Sequence, residues 1–470
     1  MAQRDRLAER HRHAGLDWGL AVILLLAGAL ALRLAFTQSY VHDENNTSIP
    51  LARTISFDFE QLRLPLRGEN HGAMPAYVVK ASSSLFGTSM PGYRCLHVIL
   101  GLATVALVFR MAQHAFGIPA ARWAALLLAF NEYYLGVSFR ATAHVPHLFF
   151  VALALFAFSR FLSVQRAGYL YGAAAALGAA FYCKESAALL LPVFALVAVF
   201  SARHRRWLWN PHVYLACLTF VLVIGADLVW NSRTWAAPAH ASYGGQVVRQ
   251  ATYRTHLDRV GGLGFSPYPL MFYAHDAVQA GVVRITGRAL ADETPEYRSM
   301  NTVLGVMLLC GVVMTAARVG RFDSVTLLFL ATFWSVFLFF SIIRPGSTTG
   351  RLDAVSWIWV ESTLLPAAVL AGVRLAELKG AVRWPAAGIT VAALAWASAD
   401  ALGGVWSSGT WAAEEGRAAV HHSWQVLAQD LVVLVRARPL VALGVALLAG
   451  ALSGLVIGVS LGRASNKGRS

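Results

Sequence analysis

The chain has 470 residues, 57% of them hydrophobic and only 13% charged, with a mean hydropathy of +0.55. Soluble domains carry roughly 25% charged residues, so too few polar side chains are present to cover a water-facing surface, and an ordinary soluble protein is excluded. The net charge of +15 gathers at short connections (Arg203, Arg205 and Arg206; Arg318 and Arg321; Arg374, Lys379 and Arg383) and at both ends of the chain, which is the positive-inside pattern of inserted helices rather than a nucleic-acid surface.

An apolar run of about 20 residues crosses the hydrocarbon core. Runs of this kind predict about twelve transmembrane helices, at 18–37, 92–113, 120–137, 144–163, 167–183, 186–202, 212–231, 301–317, 324–343, 357–375, 383–401 and 438–461. The fold class is therefore all-α and polytopic, since backbone groups in lipid must be satisfied within each segment. The first run is too long for a signal peptide and reads as a retained span. An even count with basic tails places both termini in the cytoplasm. The organisation is a tail (1–17), a transmembrane domain (18–401) with outer loops 38–91 and 232–300, an outer loop (402–437) with a surface helix, and a last span and tail (438–470).

In chain order, the first outer loop opens with the adjacent acids Asp43 and Glu44. A carboxylate pair close to the membrane can deprotonate an acceptor hydroxyl or bind a divalent cation; the alternative is a solvated loop start. Ile55–Leu64 mixes Phe57, Phe59 and Leu62 with charges and reads as an interfacial helix, as does Met74–Leu85. Between them, His71 and Tyr77 flank the turn made by Gly72 and Pro75. Arg140 occupies the short turn after the third span, followed by His144 and His147, an i, i+3 pair too poor in carboxylates to suggest a metal site alone.

Lys184 and Glu185 close the fifth span. A charged pair between apolar helices is costly in lipid and is a functional hypothesis by default; its alternative is a salt bridge closing a helical hairpin. The stretch 232–300 has a Gly/Pro/Tyr-rich centre, Gly261–Tyr273, then an amphipathic stretch, Asp276–Ile285. Arg344 and Arg351 flank the next outer connection. Arginine grips phosphate bidentately, so Arg140, Arg344 and Arg351 suit an anionic lipid head group, with snorkelling as the alternative for each. A transporter would need ionisable residues near the midplane of several spans; they are scarce there, Asp227 and Glu361 being the main candidates and both placed where a helix end could fall. Cys95, Cys183, Cys217 and Cys310 fit no disulfide or zinc spacing and read as small buried hydrophobes.

Taken in order, these pieces resemble the GT-C superfamily of membrane glycosyltransferases, in its dolichyl-phosphate-mannose protein mannosyltransferase and aminoarabinose transferase branch (family 39-like). The resemblance is carried by Asp43-Glu44, by His71-Gly-Ala-Met-Pro75, by Leu85-Phe-Gly87, by Cys183-Lys-Glu185 against the family's Thr-Lys-Glu, and by Leu364-Leu-Pro366. It covers 35–200 well and little thereafter. Two departures stand out: Arg140 lies where the family has an acid, and Val360-Glu361-Ser362 stands where it often has Arg-Tyr.

The resemblance implies inverting transfer of a hexosyl or pentosyl group from a polyprenyl-phosphate donor to a lipid, glycan or protein acceptor. Transfer would take place at the extracytoplasmic face of the cell (inner) membrane, with no nucleic acid involved. On that expectation Asp43 is the base, supported by Glu44 and His71. Lys184, Arg140, Arg344 and Arg351 meet the donor phosphate, with Glu185 and Tyr77 in support. A divalent cation, magnesium or manganese, would be held by Asp43 and Glu44 if by any residues. A transporter or lipid flippase, or a non-catalytic protein of the same fold, are the competing expectations.

Overall fold

A computed structural model describes residues 17–38, 44–67, 71–201, 203–234, 240–243, 246–249, 260–263, 266, 269–274, 278, 284, 302–317, 323–345, 360–379, 382–396 and 398. The predicted amphipathic stretch around 276–285, the loop 402–437 and the run 438–461 lie almost wholly or wholly outside them.

The apolar runs form helices: α1 (Trp18–Thr37), α4 (Met90–Phe116), α5 (Ile118–Ala129), α7 (His144–Val164), α8 (Ala167–Cys183), α9 (Leu190–Phe200), α10 (Pro211–Thr234), α11 (Thr302–Ala316), α12 (Ser324–Ile342) and α13 (Leu364–Glu377). Shorter helices α2 (Ile49–Thr54), α3 (Met74–Phe86) and α6 (Glu132–Ser138) lie between them, and 383–396 is helical as well. Among the described residues five helices, α1, α4, α7, α10 and α12, are long and apolar enough to cross a membrane. Leu25, Leu26, Leu222 and Trp396 stay exposed on the outside of the bundle, as side chains facing lipid do. The chain is an all-α polytopic membrane protein.

Small residues set the closest helix contacts. A Cβ on Gly372 of α13 would stand 2.7 Å from the Ala124 nitrogen and 2.8 Å from the Ala120 oxygen of α5, and one on Gly311 of α11 would stand 2.4 Å from Cα of Ala371. Without a hydrophobic force between helices in lipid, such backbone approach supplies dispersion contact.

The structure corrects several expectations. The predicted span 120–137 is two helices, because Asn131 interrupts it: its side chain accepts from the Tyr134 N–H at 3.1 Å and caps α6, as asparagine does at helix starts. Ile55–Leu64 is no interfacial helix. Ser56 and Arg63 pair as an antiparallel bridge across a 3-10 turn, Phe59–Gln61, and Phe57, Phe59, Leu62 and Leu64 are left exposed. Cys183 is buried, but Cys217 and Cys310 are exposed. Four short strands add to the helices: β1 (His240–Tyr243) pairs with β2 (Gln246–Arg249), and β3 (Val260–Leu263) with β4 (Ile343–Pro345), both antiparallel. The second pair ties the predicted loop 232–300 to the connection after α12.

Side-chain bonds identify one end of the bundle as the place where long connections meet. Arg94, near the start of α4, donates to the Ala35 and Gln38 carbonyls at the end of α1. Lys184, just past α8, reaches Glu361, just before α13. Arg67, from the first long connection, reaches Asp227 in the last two turns of α10. At the opposite end Asp17 caps α1 by accepting from Leu20 N–H, and both its oxygens accept from Arg122 at 3.0 and 2.9 Å. Burial works against the charged carboxyl, but the Arg122 and backbone donors outweigh it and hold Asp17 below the usual carboxylate range.

Candidate active site

Three polar clusters line the loop-bearing end, each assembled from residues far apart in the chain. The first centres on Glu361, which is fully buried. Residues 360–363 form a 3-10 turn ahead of α13, so the predicted span 357–375 begins its helix only at Leu364, and that turn aims the carboxylate into the bundle. Lys184 follows the last residue of α8 in extended conformation, φ −152° and ψ 130°, and this turns its side chain inward. Its Nζ donates to Glu361 Oε1 at 2.6 Å. His144, the first residue of α7, places Nδ1 2.6 Å from Glu361 Oε2 and 2.8 Å from Lys184 Nζ. Protonated, Nδ1 donates to the carboxylate; unprotonated, it accepts from the lysine. The Tyr133 hydroxyl donates to Glu361 Oε2 at 2.5 Å. Lys184, His144 and Tyr133 are all buried. Buried charges are tolerable only when paired and hydrogen-bonded, and here one carboxylate serves three donors.

A segment from the 232–300 stretch roofs this cluster. Residues 269–274 are helical; Phe272 and Tyr273 are buried, Phe272 packs edge-on to Tyr133, and the Tyr273 hydroxyl lies 2.6 Å from Thr363 Oγ1. Entry requires Gly305, where any Cβ would collide with the Tyr273 carbonyl oxygen.

Nearer the surface, Arg67 is held by Glu185 and by both oxygens of Asp227 at 3.1 and 3.0 Å. Burial disfavours the charged guanidinium, but the carboxylates of Glu185 and Asp227 outweigh it and raise its affinity for the proton above the ordinary value. His71 Nδ1 stands 3.6 Å from Glu185 Oε2, and these two side chains are 23% and 21% exposed, which makes them the accessible part of the site. The loop lies so close because Gly72 has no side chain: a Cβ there would stand 2.3 Å from the Tyr182 carbonyl oxygen. Tyr77 pins the same loop by donating to the Pro65 carbonyl at 3.0 Å.

The third cluster corrects the role expected of Glu44. Its carboxylate is wholly buried, accepts from Arg94 Nε and Nη2 at 2.7 and 2.5 Å, and accepts from the Ala141 N–H at 2.7 Å. Buried and paired in this way, Glu44 ties α4 to the turn 139–143. Arg140 is turned from the surface as well: it is 8% exposed, and its guanidinium lies 5.5 Å from the Phe139 ring centre, with Arg94 equally far from the same ring. Among the described residues, which do not include Asp43, no three histidine, cysteine or carboxylate side chains come together as a metal site.

Of the other residues singled out, Asp43 and Arg351 lie outside the described residues, and Arg344 falls within β4. Lys184, Glu185 and His71 meet at the loop-bearing end. Asp227 and Glu361 sit there too. Arg67, Arg94, Tyr133 and His144 carry the geometry without having drawn a functional role from sequence. Glu361 had one legible sign, an acid inside an apolar run, but its partner lies 177 positions away.

Residues 70–230 match the family model described as dolichyl-phosphate-mannose-protein mannosyltransferase. Among solved structures the chain is similar to ArnT from Cupriavidus metallidurans bound to undecaprenyl phosphate, with 17% identity and a TM-score of 0.51 over 76% of this chain and 60% of that one. The apo state of the same protein gives 17% identity and a TM-score of 0.50 over 76% and 59%. The chain therefore spans about 60% of the length of the ArnT chain it matches. A comparison with curated protein sequences finds no match. The fold is similar to that of ArnT.

Proposed function

We propose that the protein is a glycosyltransferase that moves a sugar from a polyprenyl-phosphate donor to an acceptor at the extracytoplasmic face of the cell membrane. The observation that carries this reading is the meeting of Lys184, His144 and Tyr133, with Glu185 next to Lys184 in the chain and paired with the partly exposed His71, within the residues that match the mannosyltransferase family. A lipid-linked donor cannot leave the membrane, so its phosphate must be met where helices end. Solved ArnT, similar in fold, binds undecaprenyl phosphate, which supports a donor of the same class here.

The acceptor oxygen attacks the anomeric carbon and the bond from that carbon to the phosphate oxygen breaks, inverting the centre. Asp43 takes the acceptor proton, and His71 with Glu185 flanks the acceptor side. The departing polyprenyl phosphate carries the electron pair, and Lys184 stabilises its charge in a dry site, where such a donor is worth several kcal/mol. Glu44 and Arg94 position the loop that presents Asp43. Hexosyl or pentosyl identity is set by residues that contact the sugar.

The test is transfer by purified protein supplied with polyprenyl-phosphate sugars and a mixed acceptor pool. General-base catalysis contributes about 10²–10⁴-fold, so Asp43→Asn is expected to slow transfer by about that factor. Absence of transfer from every polyprenyl-phosphate sugar by a folded protein sinks the proposal.

A further inference from the structure

Lys184 is the cation proposed to meet the donor phosphate, yet in this structure it is already engaged. Three donors from three separate elements converge on the Glu361 carboxylate: the Tyr133 hydroxyl at 2.5 Å from α6, His144 Nδ1 at 2.6 Å from the start of α7, and Lys184 Nζ at 2.6 Å from the end of α8. One cation with two neutral-capable donors, buried and fixed by packing, is the donor set of an oxyanion cradle. The carboxylate within it comes from a fourth element, the turn 360–363 that leads into α13. Both carboxylate oxygens are used, as two phosphoryl oxygens would be.

From this geometry we infer that Glu361 is a built-in anion that fills the phosphate position. Donor binding then requires the phosphate to displace it from Tyr133, His144 and Lys184. The inference rests on the proposed placement of the donor phosphate at Lys184, and it assigns Tyr133 and His144 as further phosphate-binding groups. The competition has a physical basis. Two anions cannot share one buried lysine without strong repulsion, and the donor phosphodiester, like the carboxylate, offers two free oxygens to the same donors. Glu185, the partly exposed partner of His71, is adjacent to Lys184 in the chain. The resting site is closed by its own side chain, so a charged lysine never stands unpaired in the bundle while no donor is bound.

A ligand competing with an internal group gains affinity when that group is neutralised. Full-length protein in nanodiscs is titrated with undecaprenyl phosphate, and binding is read by native mass spectrometry alongside a melting curve of each variant. Glu361→Gln, neutral and the same size, is expected to bind the lipid about tenfold more tightly although its lipid-free melting temperature falls. Glu361→Asp retains the charge but is one methylene too short to keep all three donors; it is expected to show a smaller gain and carries the test if the glutamine variant does not fold. Lys184→Gln is expected to weaken binding at least tenfold in either background. A purely structural Glu361 would give weaker or unchanged binding in the folded variants, and that result overturns the inference. If Lys184→Gln weakens binding while neither Glu361 variant strengthens it, the internal anion is wrong and the phosphate placement stands. If Lys184→Gln changes nothing, the placement fails and the inference fails with it.

Discussion

Asp43 and Glu44 are neighbours of like chemistry, and from sequence they form one unit. The fold gives Glu44 a different task, since Arg94 and the Ala141 N–H close its carboxylate inside the protein. Removing one partner of a buried ion pair leaves an uncompensated charge and costs about 3–5 kcal/mol. Glu44→Ala is therefore expected to lower the melting temperature sharply in detergent, whereas Asp43→Asn should slow transfer with little thermal change. A stable, inactive Glu44→Ala would reverse that division of labour. The pairing of Glu44 with Arg94 spans 50 positions and that of Arg67 with Asp227 spans 160, distances at which local pattern carries no information.

At the scale of elements, the helices follow from hydropathy, and their limits follow from single residues such as Asn131. Their spacing follows from glycine. Gly372→Leu would drive a side chain into the backbone of α5, and overpacking of this kind costs about 1–3 kcal/mol or more; a melting curve close to wild type would show that α5 and α13 are not packed as described. Gly72→Val acts differently, lifting the loop that carries His71 away from the Tyr182 carbonyl. It is expected to reduce transfer well beyond its effect on stability, a split visible by comparing rate with melting temperature. The bridged turn at Ser56 and Arg63 was hidden because the alternating Phe57, Phe59 and Leu62 among charges suits an interfacial helix and an exposed apolar turn equally.

For the whole molecule, the proposed function requires the loop-bearing end to face away from the cytoplasm. In a background with Cys95, Cys183, Cys217 and Cys310 replaced, Phe59→Cys is expected to react with a membrane-impermeant maleimide in intact cells. Trp209→Cys, in the exposed connection before α10, should react only after permeabilisation. The opposite pattern removes the extracytoplasmic site and the reading built on it. The all-α polytopic class, most of the helix positions and the presence of a charged pair, Lys184 and Glu185, at the end of an apolar run were written in the sequence, because lipid imposes long apolar runs and makes every charge among them conspicuous. Only the folded chain decided what those charges do, since in a low-dielectric interior a charge is defined by its partner. Here the partners of Lys184, Arg67 and Glu44 are brought from distant segments by helix packing.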